Sequence, residues 1–219
     1  MMPNNSRNYF TESDVDILNK ETAFDGYFRV DRYTLRHRLY DGGWSSPMQR
    51  EIFERGHAVA AILYDPNRDL LVLIEQFRPG AFVAASEAHA MGAFSPWLIE
   101  IVAGIIDEGE TPEEVVRREA VEEAGCSTGE LVKIGTILTS PGGSSESIVL
   151  FYGEVDAPGS GEIHGLDAEH EDIRVLVTSP EDVWQWMDAG RIVNGPALVG
   201  LQWFRLRQDT LRRRSTLVA

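Results

Sequence analysis

The chain is poor in cysteine, in positive charge and in long apolar runs, and each shortage excludes a class of protein. Cys126 is the only cysteine among 219 residues, which excludes an intrachain disulfide and fits a reducing compartment. Lysine and arginine number 20 against 35 aspartates and glutamates, and this net charge of -15 argues against nucleic acid or an anionic membrane as a partner. No apolar run approaches the roughly 20 residues of a membrane span, and residues 1–7 lack the basic and then apolar layout of a signal peptide. We therefore expect a cytoplasmic protein.

The most informative stretch, GIIDEGETPEEVVRREAVEEAGC at residues 104–126, carries the local signals of a helix. Thr111 is a good N-cap, a proline follows at the first helical position, and Glu114 completes a Thr-x-x-Glu capping box. Gly125 supplies the C-terminal stop. The sequence predicts a helix over residues 112–124, with small apolar residues along one side that let it pack closely on a sheet.

Three carboxylates crowd one side of this predicted helix. Glu119 and Glu123 lie one turn apart and Glu122 lies beside them. Like charges at this spacing destabilise an isolated helix by about a few tenths of a kcal/mol, so the cluster calls for a cation. Carboxylate oxygens suit Mg²⁺ or Mn²⁺. A solvated acidic helix, held together by pairs such as Glu114 with Arg118, is the alternative that the helix pattern alone leaves open.

The fixed positions of the stretch resemble the Nudix box. They read Gly104, five residues, Glu110, seven residues, Arg118-Glu119-Ala120, one residue, Glu122-Glu123, one residue and Gly125-Cys126. The resemblance implies the Nudix fold and a hydrolase that cleaves a nucleoside diphosphate linked to another moiety. It also implies that divalent cations are held by this loop and helix.

Short apolar runs on both sides of the box predict strands. Alternating residues predict short strands within residues 15–40, and further strands are predicted at residues 48–53, 56–63, 70–76, 97–102, 131–138, 148–155 and 173–177. Helices are predicted at residues 180–189 and 195–213, and residues 79–95 are predicted as a mobile loop with room for a short helical piece. Strands on both sides of the box helix, with further helices at the end, predict an α+β architecture in which a mixed β-sheet is sandwiched between helices.

We expect two domains. Residues 1–53 are predicted to form a small N-terminal antiparallel β extension, and residues 54–219 are predicted to form the Nudix hydrolase domain. The extension has exposed aromatic residues and little core of its own, and such a sheet more often packs on something than stands alone. We therefore expect the extension to dimerise.

Further stretches resemble one branch of the Nudix family, the ADP-ribose pyrophosphatases. They are REIFERGHA (50–58), LIEQFR (73–78), SPGGSSE (140–146), GLDAEHEDIRV (165–175) and the N-terminal DGYFRVDRYTLRH. The likeness covers nearly the whole of residues 14–205, and it departs mainly around residues 80–95, where the loop is longer.

The branch implies that ADP-ribose is split at its pyrophosphate bond into AMP and ribose 5-phosphate. Another nucleotide sugar, such as GDP-mannose, remains an alternative, because it differs only in pocket residues that the sequence does not rank. A non-catalytic Nudix-fold module that senses a ligand is a further alternative. Such modules usually lose box glutamates, whereas Glu119, Glu122 and Glu123 are all present here.

The resemblance assigns the metal site. Glu119 and Glu123 are the expected ligands of Mg²⁺, with Mn²⁺ as a substitute, and the backbone carbonyl of Ala103 is the expected third ligand. Glu122 is expected as a further ligand or as an acceptor beside the site. Arg118 and Glu110 are expected to form a pair that orients the helix glutamates, and surface ion pairs are the alternative.

Hydrolysis also needs a general base, because the box carboxylates are occupied with metal. The acidic loop of residues 167–172 is the expected source, and the resemblance points to Glu169, with Glu171 as its neighbour and substitute. As sequence alone, this loop also fits a solvated run of charge.

Two arginines are candidate ligands of a phosphate or of the terminal ribose. Arg78 ends a predicted strand and Arg50 begins one, and a guanidinium binds phosphate oxygens in pairs. Each arginine is equally able to form a structural ion pair, for instance with Glu75 or Glu100.

The remaining candidates contact the nucleoside. The turn after Ser140 lets the backbone approach a ligand closely, and Glu146 is able to accept hydrogen bonds from ribose hydroxyls. In this branch an aromatic side chain near Tyr27 or Phe28 stacks on the adenine and comes from the partner subunit, which implies a homodimer. Burial of both rings in an ordinary core is the alternative.

Overall fold

The computed structural model describes residues 10–87 and 94–215. The chain divides into two compact units. The first comprises the chain up to Arg55 together with the loop Ser140–Glu146, and the second comprises Gly56–Thr139 and the chain from Ser147 onward. None of the helices in the described ranges is long and apolar enough to cross a membrane.

The first unit is built on a three-stranded antiparallel sheet of β1 (Val15–Asp25), β2 (Arg29–His37) and β3 (Met48–Glu54) in that order. The sheet has little core, as predicted. Its buried polar centre is Asp31, whose carboxylate lies 3.0 Å from Lys20 Nζ and 3.1 Å from Arg29 Nε. The predicted N-terminal antiparallel β extension is confirmed.

The second unit alternates strands and helices. In chain order its elements are β4 (Ala58–Asp65), β5 (Leu70–Phe77), α1 (Pro79–Glu87), β6 (Trp97–Glu100), β7 (Val102–Ile105), α2 (Pro112–Ala124), β8 (Leu131–Leu138), β9 (Ser147–Glu154), β10 (Ile163–His164), β11 (Ile173–Thr178), α3 (Pro180–Asp188), α4 (Gly195–Arg205) and α5 (Gln208–Ser215). Its sheet is mixed, with the strand order β10-β11-β5-β4-β9-β8, and β4 and β9 run parallel.

Strand β4 is buried on both faces and divides the core in two. Its even-numbered residues, such as Ala60 and Ile62, pack in a cluster with α3 and α4, while odd-numbered residues such as Val59 and Ala61 pack against α2. Successive side chains of a strand point to opposite faces, so helices must cover both sides of this apolar run. The predicted sheet between helices is confirmed.

The strand predicted at residues 97–102 is in fact two strands. β4 and β5 pair only near their turn, and their other ends diverge. β6 pairs with β5 and β7 pairs with β4, so the chain crosses the gap at Ile101. This crossing places Ala103 and Gly104 beside α2.

Helix α2 begins and ends where the sequence predicts. Thr111 accepts a hydrogen bond from the Glu114 N–H at 3.3 Å, and the Glu114 carboxylate accepts one from the Thr111 N–H at 2.9 Å, which completes the capping box. Gly125 closes the helix with a left-handed φ of +63°. Glu114 is therefore engaged at the cap, and the pair of Glu114 with Arg118 that belonged to the alternative of a solvated helix does not form.

The final predicted helix over residues 195–213 is also two elements, α4 and α5. The break lies at Leu206, which is exposed. Beyond it, Leu211 is buried and the Arg212 guanidinium bonds Asp69, the residue before β5. The turn thus lets α5 bury an apolar residue and reach the β4–β5 connection. Part of the predicted loop at residues 79–95 is α1, and the rest includes residues outside those that the structure describes.

Candidate active site

Gly104 lets α2 approach β7 closely. A side chain at this position would force the Glu119 carboxylate out of its place, because its Cβ would lie 1.9 Å from the Glu119 Oε1 atom. The box glycine therefore makes the space into which the Glu119 carboxylate fits. This contact sets one helix carboxylate directly against the strand backbone.

Glu123 lies deeper, one helical turn further on. Only 2% of it is exposed, and its Oε2 accepts a hydrogen bond from the Ala103 N–H at 2.9 Å. Burial raises the pKa of the Glu123 carboxyl to about 8, against the lowering effect of the Ala103 N–H, and the charge of Glu119 raises it further. A buried carboxylate with so little compensation is a strong attractor of a cation.

Arg118 joins three carboxylates at the exposed side of α2. Its guanidinium lies 3.2 Å from Glu110, 2.8 Å from Glu119 and 3.0 Å from Glu122. The predicted pair of Arg118 with Glu110 is present. Burial raises the pKa of Glu119 to about 7, Arg118 opposes that rise, and the charges of Glu122 and Glu171 add to it.

The predicted metal ligands Ala103, Glu119, Glu122 and Glu123 provide hard oxygen donors, which fit Mg²⁺ or Mn²⁺. Ala103 turns its N–H toward Glu123, and because the N–H and C=O of one strand residue point to the same side, its carbonyl lies on that same edge. Within residues 10–87 and 94–215, however, no three acidic, histidine or cysteine side chains converge into a ready-made metal cage. Glu119 and Glu122 instead each lie in an ion pair with Arg118.

Arg78 is anchored by a buried carboxylate. Its Nε and Nη2 bond Glu100 Oε2 at 3.0 and 2.9 Å, and Asn194 Nδ2 bonds Glu100 Oε1 at 2.7 Å. The ion pair with Glu100 named as an alternative for Arg78 is thus present. The charge of Arg78 also lowers the pKa of Glu123, so this guanidinium is near enough to act on that carboxyl.

Asn194 is a site residue that the sequence analysis missed. Its Oδ1 caps α4 by accepting from the Ala197 N–H at 2.9 Å, while its Nδ2 holds Glu100. Asparagine before Gly-Pro is a helix-start signal that predicts the cap. Nothing local predicts the contact with Glu100, which lies 94 residues earlier.

The two candidate bases lie in different surroundings. Glu169 is exposed in a short 3-10 turn. Glu171 is half-buried, and its charge raises the pKa of both Glu119 and Glu123. Of the two, Glu171 is therefore the one whose charge reaches the carboxylates of α2.

The aromatic candidates belong to the first unit. Tyr27 is 92% exposed and meets the Phe28 ring edge-on, with centroids 4.7 Å apart. Phe28 in turn packs against Phe53 at 4.9 Å and lies under the Arg55 guanidinium. Tyr27 is thus available for a further contact, whereas Phe28 already packs inside its unit.

The other first-unit candidates are occupied by local contacts. Arg50 is exposed, and its Nη1 donates to the Gln49 carbonyl at 2.7 Å. The Ser140 carbonyl closes its turn by accepting hydrogen bonds from the N–H groups three and four residues further along the chain. The buried Glu146 lies 3.2 Å from Arg55. The metal ligands, Arg78 and the acidic loop belong instead to the second unit.

Known proteins resemble this chain over most of its length. The NUDIX domain family model matches residues 54–198. The ADP-ribose pyrophosphatase of Escherichia coli (strain K12) is 44% identical over 212 residues, which are 97% of this chain and 98% of that protein. The ADP-ribose pyrophosphatase of Haemophilus influenzae is 42% identical over 205 residues, covering 94% of this chain and 92% of that protein.

A more distant relative and a solved structure are also similar to this chain. The GDP-mannose pyrophosphatase of Pectobacterium atrosepticum is 32% identical over 190 residues, covering 87% of this chain and 93% of that protein. A crystal structure of an ADP compounds hydrolase superposes with a TM-score of 0.61 at 17% identity, covering 89% of this chain and 96% of that one. At this identity the structural likeness concerns the fold alone.

Proposed function

Because this chain belongs to the NUDIX domain family, we propose that it hydrolyses the pyrophosphate bond of ADP-ribose to give AMP and ribose 5-phosphate. The observation that carries the chemistry is the Glu119–Glu123 carboxylate pair, closed onto Ala103 and Gly104 of β7. The choice of ADP-ribose is supported by the relatives that are 42–44% identical over nearly the whole chain. We place the enzyme in the cytoplasm as a homodimer.

The proposed cofactor is Mg²⁺, with Mn²⁺ as a substitute. Glu119, Glu123 and the Ala103 carbonyl would hold it, with Glu122 as a further ligand or as an acceptor beside it. A bound divalent cation neutralises charge on the phosphate oxygens and orients water. Arg118 keeps Glu119 and Glu122 in place through its ion pairs, so its contribution is the orientation of ligands.

The acidic loop supplies the general base in this proposal. Its carboxylate accepts a proton from the attacking water, and Glu171 and Glu169 are the two candidates. The effect of Glu171 on the pKa of Glu119 and Glu123 supports Glu171. Glu169 fits the role only if the loop closes further when substrate binds.

Arg78 is proposed to bind a phosphate. Glu100 engages its Nε and Nη2, and Nη1 makes no hydrogen bond to any described residue. A guanidinium held on one edge is pre-oriented for an anion on the other. The buried Glu100 and the cap residue Asn194 therefore fix the direction of the phosphate ligand.

The first unit is proposed to recognise the nucleoside and the terminal ribose. Tyr27 or Phe28 would stack on the adenine as a contribution from the partner subunit, and the 92% exposure of Tyr27 favours that residue. Arg50, the backbone of the Ser140 turn and the carboxylate of Glu146 are the proposed polar ligands.

A second candidate substrate is GDP-mannose, because a GDP-mannose pyrophosphatase is 32% identical over 87% of this chain. A panel of nucleotide sugars with Mg²⁺ and alkaline phosphatase separates the two. The phosphatase releases phosphate from AMP and ribose 5-phosphate but leaves the internal pyrophosphate intact. We expect phosphate release to be fastest with ADP-ribose. Faster phosphate release from GDP-mannose would make GDP-mannose, and not ADP-ribose, the substrate. No phosphate release from any nucleotide sugar would refute the proposal.

A further inference from the structure

The side chain of His164 packs on the C-terminal end of α2. A Cβ built on Gly125 would lie 2.7 Å from the His164 Cε1 atom, closer than real Cβ atoms approach their neighbours. The ring therefore occupies space that only glycine leaves open. Glycine at position 125 meets two requirements: it adopts the left-handed φ of +63°, and it leaves room for the His164 ring.

The ring is also held from its other side. His164 Nε2 lies 3.2 Å from Glu162 Oε2, and Glu162 Oε1 accepts from the Gly159 N–H at 3.0 Å. Nε2 is thus the ring nitrogen that faces this carboxylate. The His164 backbone is fixed as well, since it pairs with Ile173 between β10 and β11. The imidazole thus has one defined orientation against α2.

The residues that follow connect this contact to the acidic loop. The Gly165 N–H donates to the Glu122 carbonyl of α2 at 3.1 Å. Gly165 has a φ of +104°, and a Cβ there would lie 2.7 Å from the Glu171 Cβ. Leu166 and Glu171 exchange hydrogen bonds, from the Leu166 N–H to the Glu171 carboxylate at 3.2 Å and from the Glu171 N–H to the Leu166 carbonyl at 3.3 Å. Glu171 is therefore packed against the two residues that follow His164.

We propose that His164 is a positioning residue, whose ring latches the loop of residues 165–171 to the Gly125 end of α2 and so sets Glu171 against the helix carboxylates. The inference rests on the proposed hydrolase function. His164 itself contacts no reacting atom in this scheme. It acts through Gly165, so its loss moves the base without removing a metal ligand or the phosphate-binding arginine.

The first test is His164→Ala, compared with wild type in ADP-ribose hydrolysis. A base displaced by about 1 Å lowers the turnover rate by roughly 10- to 100-fold. We expect kcat to fall by this amount, while KM and the Mg²⁺ requirement change little. His164→Phe keeps a flat ring on Gly125 and should restore most of kcat. His170→Asn is the matched control, because His170 lies within the loop itself, is exposed and has a left-handed φ of +57° that asparagine tolerates.

A second readout needs no substrate. Hydrogen exchange at the Gly165, Leu166 and Glu171 amides should accelerate by at least about 10-fold in His164→Ala, with little change in the rest of α2. Unchanged exchange together with unchanged kcat would overturn the latch. If wild type hydrolyses no ADP-ribose, the proposed function fails, but the exchange measurement still decides whether the latch exists.

The contact with Gly125 is tested by a double-mutant cycle. Gly125→Asn tolerates the left-handed backbone but places a Cβ against the ring, so it should also accelerate exchange in the loop. In the His164→Ala background the ring is gone, and Gly125→Asn should then add little. Fully additive effects of the two changes would mean that the two residues act independently, which contradicts the latch. Circular dichroism and thermal unfolding of every variant separate a loosened loop from a misfolded chain.

Discussion

At the scale of single residues, the site depends on carboxylates that are costly to bury. Glu123 has a pKa raised to about 8 and Glu119 one raised to about 7, in both cases chiefly because of burial. A protein tolerates such groups where a cation compensates them. The cost of burying these carboxylates thus supports a metal site, and this support does not depend on the resemblance to the Nudix box.

Glu119→Gln separates the metal role from folding. The neutral isostere removes a buried charge, so the fold should persist with equal or greater stability. The Mg²⁺-dependent rate should fall on the order of 10³-fold, because a metal clamp contributes several kcal/mol to phosphoryl chemistry. Glu113→Gln is the control, since Glu113 lies exposed on the same helix. Circular dichroism and turnover check this, and near-normal activity of Glu119→Gln would rule out the assignment.

The base is tested by Glu171→Gln and Glu169→Gln measured side by side. Removing a positioned general base costs roughly 10²–10⁴-fold in turnover, and we expect this loss for Glu171→Gln. Substrate affinity and the Mg²⁺ requirement should stay nearly constant in both variants. A large loss of turnover in Glu169→Gln, with almost no loss in Glu171→Gln, would restore Glu169 as the base, which is the assignment that the sequence favours. Normal turnover in both variants would mean that the loop provides no base.

At the scale of elements, residues within a segment were enough to predict where its helix begins and ends. Helix α2 begins and ends as predicted because Thr111, Glu114 and Gly125 fix its termini within the segment itself. The division of residues 97–105 into β6 and β7 was not predictable, because it depends on where β4 and β5 diverge. The contact of Asn194 with Glu100 was not predictable either, because the two residues lie 94 positions apart along the chain, whereas the Arg78–Glu100 pair was one of the alternatives that the sequence left open.

The anchoring of α5 on the β4–β5 connection is testable. Arg212 binds Asp69 through two nitrogens, and the Tyr64 hydroxyl donates to the same carboxylate at 2.6 Å. Asp69 has a left-handed φ of +54°, which asparagine tolerates and alanine does not. Asp69→Asn should lower the unfolding free energy by about 1 kcal/mol or less, because the ion pair is partly exposed.

Asp69→Ala is the matched comparison in urea unfolding. This change adds backbone strain and removes the acceptor of the Tyr64 hydroxyl. It should therefore lower the unfolding free energy by about 2–3 kcal/mol. Equal stability of wild type and both variants would mean that this connection does not anchor α5.

At the scale of the whole molecule, the first unit explains why a dimer is proposed. It leaves apolar side chains in solvent, with Ile17 61% exposed and Phe24 59% exposed. Exposed apolar patches of this kind mark interaction surfaces, and an isologous dimer is the commonest assembly. Sequence alone predicts the sheet and its exposed aromatics, because strand alternation is a local pattern. It does not predict that the loop Ser140–Glu146 groups with this unit, because that grouping depends on contacts distant in sequence.

Light scattering should therefore give twice the chain mass of 24.4 kDa. Phe24→Glu places a charge in the proposed interface and should shift the mass toward one chain, whereas Val132→Glu, at an exposed apolar position of the second unit, should not. A wild-type monomer with full activity would refute the proposal that the partner subunit contributes a residue to the site.

The central claim is metal-dependent cleavage of ADP-ribose at its pyrophosphate bond by the α2 carboxylates. The direct measurement is ³¹P NMR of ADP-ribose incubated with Mg²⁺ and either wild type or Glu123→Gln. With wild type, the two pyrophosphate resonances should give way to equal amounts of AMP and ribose 5-phosphate, and with Glu123→Gln they should persist. Intact ADP-ribose after prolonged incubation with wild type, or cleavage that Glu123→Gln leaves unchanged, would contradict this account.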